Sequence, residues 1–455
     1  MNIDAALCYP LAPVPLSLAT CDGTRRKTAK SKLFSAALTS LEVEGIEIEC
    51  TKRGKACYIL DLAAIIRSIV RTPDTFRELA IMILREIPTQ YSNIYIACDS
   101  YKDQSIKNAE RVLRGHEDKF AIRTPDIRIS ANFKRFLSNG ENKERMFELM
   151  EQVWIESSNQ LSGRSLYVAR ASSCVKIENG VSTKVPELEN DHEEADSKIA
   201  FMIKHAEARE DTVCMVRSSS GDIDIPVILV AGEFNSRILI DNGTGKSRKI
   251  LDVSACRLSE KQKKALLGLH SFTGNDYVSS ILRKGKQLCW KHVKDNLTFL
   301  DLFANLGNSQ GITSDQLAGL EHFVCTIFGR RQQHSVNEAR KDIFWEKFEK
   351  YGKVIDLSLF PPCQTSLELH SKRASFVARM WRNASNPILS LDHPSNHGWL
   401  ADMAINWTEE AYPEDIAELL IESNNGDDAE EIAENNDVSS SEQESSDGDT
   451  DGDDD

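Results

Sequence analysis

The sequence lacks the features that would place the protein in a membrane or in an oxidising compartment. No apolar run approaches the roughly 18 residues that a membrane-spanning helix needs, and the N-terminus does not have the layout of a signal peptide. The 11 cysteines lie singly between Cys8 and Cys363, with no C-x-x-C pair and no zinc-type spacing. Reduced core thiols are the simplest interpretation. We therefore expect a soluble, nuclear or cytoplasmic protein that makes no membrane contact.

Lysine and arginine are absent from the end of the chain. The last 32 residues, 424–455, hold 14 acids and no basic residue, so the net charge of −15 comes almost entirely from this segment. The other 423 residues carry 56 acids against 55 bases. A segment so rich in Asp, Ser and Asn cannot bury enough apolar surface to fold, and we predict a disordered acidic tail. Its charge suits binding to basic proteins, or an action in cis on the folded part.

The N-terminal extension, residues 1–50, combines an apolar segment with a basic cluster. The apolar segment, residues 9–16, contains three prolines, which exclude a central strand or a helix interior. The basic cluster that follows it consists of Arg25, Arg26, Lys27, Lys30 and Lys32. These side chains either contact phosphates or form a nuclear address, and a solvated basic loop is an equally good explanation.

Two acidic motifs about two dozen residues apart lie near the middle of the chain. The first motif, residues 191–196, reads Asp-His-Glu-Glu-Ala-Asp and precedes a helical pattern over residues 197–208. Asp191 is a candidate N-cap of this helix, with Glu193 or Glu194 as the acid of a capping box. Glu194 and Asp196 would then lie at the helix start, where the macrodipole favours negative charge.

The second motif, residues 220–224, reads Ser-Gly-Asp-Ile-Asp. It follows an apolar run, residues 212–216, that predicts a buried strand, so Asp222 and Asp224 should lie at the carboxyl end of that strand. Four carboxylates so close together repel one another unless a cation lies between them, and the simplest partner is a hard divalent cation such as Mg²⁺ or Mn²⁺. Acids at a helix start and in a Gly-Asp-x-Asp turn are also ordinary structural features.

The same pattern recurs elsewhere in the chain. Apolar runs at 57–60 and 94–98 predict strands that end in Asp61 and Asp99, and Asp276 lies in a glycine-containing turn. The alternation of strands and helices indicates an α/β fold with an open, mostly parallel sheet. Because the carboxyl ends of parallel strands share one edge, the seven acids are expected to converge there. Such a set would hold two metal ions, one generating hydroxide from water and one stabilising the leaving oxygen of a phosphodiester.

Basic residues lie near some of these acids. Lys107 and Arg114 are seven residues apart, so both can point the same way on a predicted helix. A solvated helix face and a contact with phosphate explain this spacing equally well. A small basic turn between two predicted helices contains Arg283, Lys284 and Lys286, and its amides and lysines could contact a phosphate.

Further periodic segments complete the predicted architecture. They predict helices at 133–154 and 260–269, strands at 165–169, 237–240 and 248–253, and a loop at 172–183. The predicted domains are the extension (1–50), an α/β domain (51–295), a mainly helical C-terminal region (296–423) and the acidic tail (424–455).

Five motifs, taken together, resemble those of a known family. They are Leu60-Asp61, Cys98-Asp99, Glu194-Ala195-Asp196, Asp222-Ile223-Asp224 and Gly274-Asn275-Asp276-Tyr277. In order and rough spacing they are similar to the acidic motifs of the flap endonuclease and XPG-like nucleases, in particular of the Asteroid-like proteins. Residues 9–16, Lys27-Thr28 and residues 191–196 also resemble that group. The resemblance covers about residues 5–295 and, more weakly, the helical region to about residue 421.

The resemblance implies a PIN-like fold for the α/β domain and a role for each motif. The implied ligands of two Mg²⁺ or Mn²⁺ ions, direct or through water, are Asp61, Asp99, Glu194, Asp196, Asp222, Asp224 and Asp276. By the same resemblance, Lys107 and Arg114 would steady the scissile phosphate. Arg283, Lys284 and Lys286 would stand where the family has a helix-two-turn-helix that grips duplex DNA. Asp196 replaces a more usual Glu in the third motif.

The resemblance leads to one expected function and two alternatives. We expect a divalent-metal-dependent nuclease that hydrolyses phosphodiester bonds in DNA or RNA by a two-metal mechanism. The first alternative is a PIN-like protein that binds nucleic acid or proteins as a regulatory module without turnover, and the acidic tail, which would repel or mimic nucleic acid, favours it. The second is an unrelated α/β phosphotransferase. That class places its Asp-x-Asp at the first strand, whereas the first strand here ends Asp61-Leu62-Ala63.

Overall fold

Nine strands form one sheet in the part of the chain that the structure describes. The structure is a computed structural model, and it describes residues 3–43, 55–102, 104–113, 118–218, 223–243, 248–351 and 356–408. The strands are β1 (Glu42–Val43), β2 (Ala56–Asp61), β3 (Asn93–Ala97), β4 (Ser165–Arg170), β5 (Ser173–Glu178), β6 (Val181–Lys184), β7 (Val213–Ser218), β8 (Arg237–Asn242) and β9 (Lys249–Asp252).

Helices connect these strands and continue beyond them. The α-helices are α1 (Ile3–Ala6), α2 (Ser31–Leu33), α3 (Leu62–Arg67), α4 (Phe76–Glu86), α5 (Ile106–Leu113), α6 (Phe133–Ser138), α7 (Gly140–Glu156), α8 (Ala195–Ala208), α9 (Asp224–Ala231), α10 (Glu260–Phe272), α11 (Lys286–Val293), α12 (Leu297–Asn305), α13 (Ser314–Ile327), α14 (Val336–Tyr351) and α15 (Gln364–Arg382). No helix among the described residues is long and apolar enough to cross a membrane.

The sheet has a parallel centre and antiparallel edges. Its strand order is β1-β9-β8-β7-β2-β3-β4-β5-β6, and the five inner strands from β8 to β4 are parallel. From β2 the chain first adds β3 and β4 on one side, and then returns through α8 to add β7 and β8 on the other side. The direction of strand addition therefore reverses between β2 and β7, which is where ligands bind in open α/β sheets. The predicted α/β class with a mostly parallel central sheet is confirmed.

Strand β2 shows how the sequence forms the core. All six of its residues are buried, as expected for an apolar run in the middle of a parallel sheet. Its alternating side chains enter two hydrophobic clusters, with Cys57 and Ile59 in one and Tyr58 and Leu60 in the other. The first cluster also includes residues on both sides of position 295, because α12, α13 and α15 pack on it. Contacts group residues 7–409 into one unit, and α1 belongs to a second unit.

The segment 172–183 is the clearest departure from the predicted elements. It was expected to be a loop, but it forms the antiparallel hairpin of β5 and β6. The two strands are joined by Asn179 and Gly180, whose φ angles are 51° and 79°. Asn-Gly with two positive φ angles is the preferred composition of a type I′ hairpin turn. The prediction failed because the polar strand β6 is exposed along its whole length, and exposed strands carry no apolar periodicity.

The predicted helix at 133–154 is divided by a second capping residue. Asn132 accepts a hydrogen bond from the Arg135 amide at the start of α6, and Asn139 does the same for Asn142 at the start of α7. An asparagine side chain competes well for backbone amides, so the chain restarts a helix at Asn139 instead of continuing one. The predicted strands at 165–169, 237–240 and 248–253 and the helix at 260–269 are confirmed.

Gly268 in α10 tests how closely α10 and α12 pack. A Cβ atom at this position would collide with the carbonyl oxygen of Phe303 in α12, which is backbone and cannot rotate away. We expect Gly268→Ala to lower the free energy of unfolding by about 1–3 kcal/mol, as overpacked cores do, despite the better helix propensity of alanine. Urea denaturation measures this loss. Gly311→Ala, with no atom within 4 Å of its Cβ, is the matched control, and an equal loss in both variants would contradict the close approach.

His370 makes the attachment of α15 to α10 sensitive to pH. Its Nε2 donates a hydrogen bond of 2.9 Å to the Phe272 carbonyl, and its ring is fully buried. Burial, helped by Arg373, lowers the pKa of His370 to about 3. Because this pKa lies below that of an unfolded histidine, the stabilisation is complete above about pH 6.5 and is lost as the pH falls towards 3.

We therefore expect the free energy of unfolding to fall between pH 6.5 and 4, with His370 contributing up to about 1.4 kcal/mol per pH unit. His370→Gln should remove that part of the slope, whereas the exposed control His393→Gln should keep it. Chemical denaturation across this pH range measures the slope. Identical slopes in the His370 variant and the wild type would show that His370 does not stay neutral in the fold.

Candidate metal centre at the carboxyl edge of the sheet

Three of the predicted acids lie where parallel strands end. Asp61 is the last residue of β2, Asp99 follows β3 by two residues, and Asp224 begins α9 after β7. Strands β7, β2 and β3 are consecutive in the sheet, and the direction of strand addition reverses between β2 and β7. The carboxyl edge of the sheet therefore brings together acids that are distant in sequence. The Asp61 carboxylate also caps α3 by accepting a hydrogen bond of 3.0 Å from the Ala64 amide.

Asp99 connects the end of β3 to the start of α8. Its Oδ1 accepts a hydrogen bond of 2.9 Å from the Ala195 amide, and its Oδ2 accepts one of 3.3 Å from the Tyr101 hydroxyl. Burial raises the pKa of Asp99, but the ammonium of Lys107 and the Ala195 amide outweigh it, so the pKa lies below its usual value. Asp99 therefore stays ionised. It accepts a hydrogen bond at the start of α8, the helix that the sequence predicts Asp191 to cap.

The capping prediction for Asp191 is wrong. Helix α8 begins at Ala195, with Glu194 in the N-cap position and no side-chain cap of its own. The Asp191 carboxylate instead accepts a hydrogen bond of 2.9 Å from the Leu389 amide, nearly two hundred residues later in the chain. Local spacing suggested a cap, but an extended stretch separates Asp191 from the helix. Glu194 and Asp196 do lie at the helix start, as expected.

Two lysines and three acids alternate in a row that we call the lysine–carboxylate chain, which consists of Asp224, Lys30, Asp276, Lys107 and Glu194. The Lys30 Nζ lies 2.9 Å from Asp224 Oδ2 and 2.7 Å from Asp276 Oδ1. The Lys107 Nζ lies 3.9 Å from Asp276 Oδ2 and forms an ion pair with Glu194. Each ammonium thus contacts two carboxylates from different elements of the fold, and two positive charges offset two of the three negative charges.

Asp224 is the most enclosed member of this chain. Its side chain is only 4% exposed, and its Oδ1 lies 2.7 Å from His270 Nε2. A carboxylate only accepts hydrogen bonds, so His270 Nε2 must carry the proton. Burial and Lys286 lower the pKa of His270 to about 4, which keeps the ring neutral. Burial raises the pKa of Asp224, but Lys30 and His270 outweigh it and hold the pKa well below its usual value.

A tight turn presents Asp276 at the edge of this site. Gly274 has a φ of 106°, and a Cβ there would press against Ser280. Asn275 Oδ1 accepts hydrogen bonds of 2.8 and 3.1 Å from the amides of Tyr277 and Val278, which closes the turn. The Asp276 side chain is 52% exposed. Partial desolvation of the carboxylate raises the pKa of Asp276, but the ammoniums of Lys107 and Lys30 outweigh this effect, so the pKa is lowered.

Some buried polar atoms at this edge have no hydrogen-bond partner among the described residues. They include the Oε1 atom of Glu193, the Tyr277 hydroxyl and the Ser218 hydroxyl at the end of β7. Burial and the charges of Glu193, Asp276, Asp196 and Asp99 raise the pKa of Tyr277, so its hydroxyl lies within their field. Buried polar atoms rarely remain unsatisfied. Tyr277 and Glu193 therefore indicate that the edge can accept a further polar or charged group.

The donor atoms suit a hard divalent cation. Carboxylate oxygens are the ligands that Mg²⁺ and Mn²⁺ prefer, and the unsatisfied Glu193 oxygen adds to the set. In the part of the chain that the structure describes, no three His, Cys, Asp or Glu side chains converge closely enough to hold a metal ion. The lysines supply the balancing charge instead. The residues thus fit a cation in chemical type, and a cation would have to compete with Lys30 or Lys107.

The remaining predicted site residues fall into two groups. Asp222 and Arg114 lie outside the described residues. In the basic turn, Arg283 is exposed, Lys284 lies 4.2 Å from the centre of the Phe328 ring, and Lys286 is fully buried.

The prediction that Lys286 contacts nucleic acid as part of the basic turn is wrong. Its Nζ donates to the His270 carbonyl at 3.1 Å and to the Thr273 hydroxyl at 3.0 Å, and its position at the start of α11 points it into the core. Burial lowers the pKa of Lys286 to about 7. An ammonium so enclosed supports α10 and is not displayed to a phosphate on the surface.

Sequence reasoning missed three contributors to the site, namely Lys30, His270 and Tyr277. In the sequence Lys30 is one member of a basic cluster, and the residues next to it do not distinguish it from Lys27 or Lys32. His270 and Tyr277 flank the turn of Asp276, and their nearness to an acid motif was the available signal.

Comparisons with known proteins give no match. A scan against protein-family models finds no family that fits the sequence, and a search of curated proteins finds no similar protein. The acidic motifs and their geometry are therefore what supports a functional proposal.

Lys107 should contribute strongly to the stability of this edge. Its partner Glu194 has a side chain that is only 8% exposed, and a buried charge without its partner is costly. We expect Lys107→Met to lower the free energy of unfolding by about 1–3 kcal/mol in chelator, and added Mg²⁺ to restore part of that loss. Thermal unfolding with and without Mg²⁺ measures both effects. The exposed Lys102 provides the control Lys102→Met, and equal behaviour of the two variants would contradict the role of Lys107.

Proposed function

We propose that the protein is a divalent-metal-dependent nuclease that hydrolyses phosphodiester bonds in DNA or RNA, built on a PIN-like fold. One observation carries the proposal. Acidic side chains from β2, the loop after β3, the start of α8, the start of α9 and the turn at Asp276 lie at or near the carboxyl edge of the sheet, beside the point where the direction of strand addition reverses. Their order along the chain is the order of the motifs in the flap endonuclease and XPG-like nucleases, including the Asteroid-like proteins.

The cation would be Mg²⁺ or Mn²⁺. When bound, such ions activate water and stabilise the leaving oxygen of a phosphodiester. The residues that would hold them are Asp61, Asp99, Glu194, Asp196, Asp224 and Asp276, together with Asp222, which lies outside the described residues. Asp99 is ionised at neutral pH because its pKa is lowered, and so is Asp224. Both therefore carry a full negative charge at this edge, although Lys30 already contacts Asp224.

Lys107 has the position of a phosphate-binding residue in this proposal. Its ammonium lies between Glu194 and Asp276 at the edge of the site, and it is 5.3 Å from the centre of the Tyr277 ring. A scissile phosphate would be repelled by the acids, and a fixed ammonium offsets that repulsion as negative charge develops. By the same resemblance Arg114, which lies outside the described residues, would assist it.

The contacts of the lysine–carboxylate chain favour a second candidate function. Lys30 and Lys107 already offset two of the three negative charges of Asp224, Asp276 and Glu194. An acidic set whose charge is largely offset by the protein's own lysines can be retained for stability alone. The alternative is a PIN-like module that binds nucleic acid or proteins without turnover.

A cleavage assay distinguishes the two functions. We expect end-labelled single-stranded, duplex or 5′-flap DNA, or RNA, to be cut in the presence of Mg²⁺ or Mn²⁺ and not in chelator. Asp99→Asn and Lys107→Met should each reduce the rate by about 100-fold or more. Asp301→Asn, an exposed acid of α12 that pairs with Lys261 at the surface, should cut at the wild-type rate.

Circular dichroism must show that the variants are folded, since Asp99 also caps α8. Metal-independent cleavage, or equal cleavage by the Asp99 variant, would contradict the nuclease proposal. Binding of nucleic acid without cleavage would support the alternative.

A further inference from the structure

We propose that Lys30 replaces one of the two expected divalent cations, so that the centre binds a single divalent ion. In this arrangement the ammonium of Lys30 permanently bridges Asp224 and Asp276 and offsets one of their two negative charges. The inference rests on the metal binding of the proposed function, but it does not depend on cleavage. It assigns to the N-terminal basic cluster a specific task in the site.

The first support is the geometry of the ammonium. Lys30 Nζ lies within 3 Å of carboxylate oxygens from two different elements, 2.9 Å from Asp224 at the start of α9 and 2.7 Å from Asp276 in its turn. A cation shared by these two acids would occupy the space between their oxygens, and that space holds the ammonium. The Lys30 side chain is 22% exposed, so solvent screens this interaction only in part.

The second support is the state of Asp224. Its Oδ1 accepts a hydrogen bond from His270, and its Oδ2 contacts Lys30. Both oxygens of this buried carboxylate thus have a partner within the protein. A divalent ion at the same place would have to displace Lys30 and leave the ammonium half-buried and unpaired, which costs free energy.

The third support is that the backbone before Lys30 is fixed. The Ser280 amide donates to the Arg26 carbonyl at 2.8 Å, and the Ser280 hydroxyl donates to the Lys27 carbonyl at 2.8 Å. Earlier in the same segment, Arg25 Nη1 donates to the Asn275 carbonyl at 2.8 Å. The segment that carries Lys30 is therefore attached to the loop that carries Asp276. Because the approach of the ammonium is already ordered, the ion pair loses little conformational entropy when it forms.

The single ion of the proposed function is assigned to the remaining acids and to the unsatisfied atoms near them. Asp61 and Asp99 lie at the ends of adjacent strands, Asp196 lies in the first turn of α8, and the unsatisfied atoms are Glu193 Oε1 and the Tyr277 hydroxyl. These groups are distinct from the pair that Lys30 holds. The single ion would bind among them.

Titration of the full chain with Mn²⁺ alone tests this inference. Calorimetry, or electron paramagnetic resonance of free Mn²⁺, counts the bound ions. We expect one ion for the wild type and two for Lys30→Met, because the vacated pair becomes a second site. Lys30→Arg keeps a positive charge and should bind one ion. The control Lys32→Met removes an exposed lysine two residues away and should also bind one.

Asp276→Asn provides a test that does not require a Lys30 variant to fold, since the Asp276 side chain is half exposed. We expect this variant to bind one ion, as the wild type does. The double variant Lys30→Met/Asp276→Asn should also bind one ion, whereas Lys30→Met alone binds two. Two ions in the wild type, a loss of binding in Asp276→Asn, or a single ion in folded Lys30→Met would each overturn the inference.

Failure of the inference and failure of the proposed function are separable. If the ion counts are as expected but no nucleic acid is cut, only the nuclease proposal fails. If cleavage requires Mn²⁺ and the wild type binds two ions, only the role of Lys30 fails. If neither the wild type nor Lys30→Met binds Mn²⁺, both fail.

Discussion

Repulsion among the carboxylates at the carboxyl edge of the sheet is the constraint on which the site depends. The α/β topology places the carboxyl ends of β2, β3 and β7 side by side, and an acid ends β2 or follows β3 and β7. Acids at this distance destabilise the fold unless positive charge is nearby. Two sources supply it, namely the N-terminal ends of α8 and α9 and the ammoniums of Lys30 and Lys107.

Hydrogen bonds from α10, α11 and α15 hold the acidic edge of the sheet in place. His270 holds Asp224, and Lys286 donates to the His270 carbonyl in α10. His370 of α15 donates to the Phe272 carbonyl at the end of the same helix. A continuous set of buried hydrogen bonds therefore runs from the acidic edge into the helical region. Buried hydrogen bonds hold these groups in fixed positions, which makes the helical region part of the site's framework.

The same charges bear on both candidate functions. A metal ion brings two positive charges to a group of acids, whereas each lysine brings one. If a cation gains more from Asp61, Asp99 and their neighbours than it loses by disturbing Lys107, the site is a metal centre. If the lysines hold their positions, the acids stabilise the fold and the surface is available for binding alone. The outcome depends on a difference between two large electrostatic energies, not on whether acids are present.

The sequence by itself determined the α/β class, the buried strands β2, β3, β4 and β7, and the placing of acids at or after the ends of β2, β3 and β7. These follow from apolar runs and from turn residues, which act locally. It also contained the signal for the β5–β6 hairpin, since Asn179-Gly180 favours a type I′ turn, although the polar composition of that segment concealed it.

Only the tertiary structure decided which charges meet. Lys30 lies 194 residues before Asp224, and Asp191 bonds to Leu389 instead of capping the helix beside it. Lys286 is buried although its neighbour Arg283 is exposed. No local pattern distinguishes these residues from other lysines and acids, because ion pairs between distant segments depend on how the packed elements are placed. Residues close together in the sequence therefore determine the strands, whereas the ion pairs of the site join residues that are far apart in the sequence.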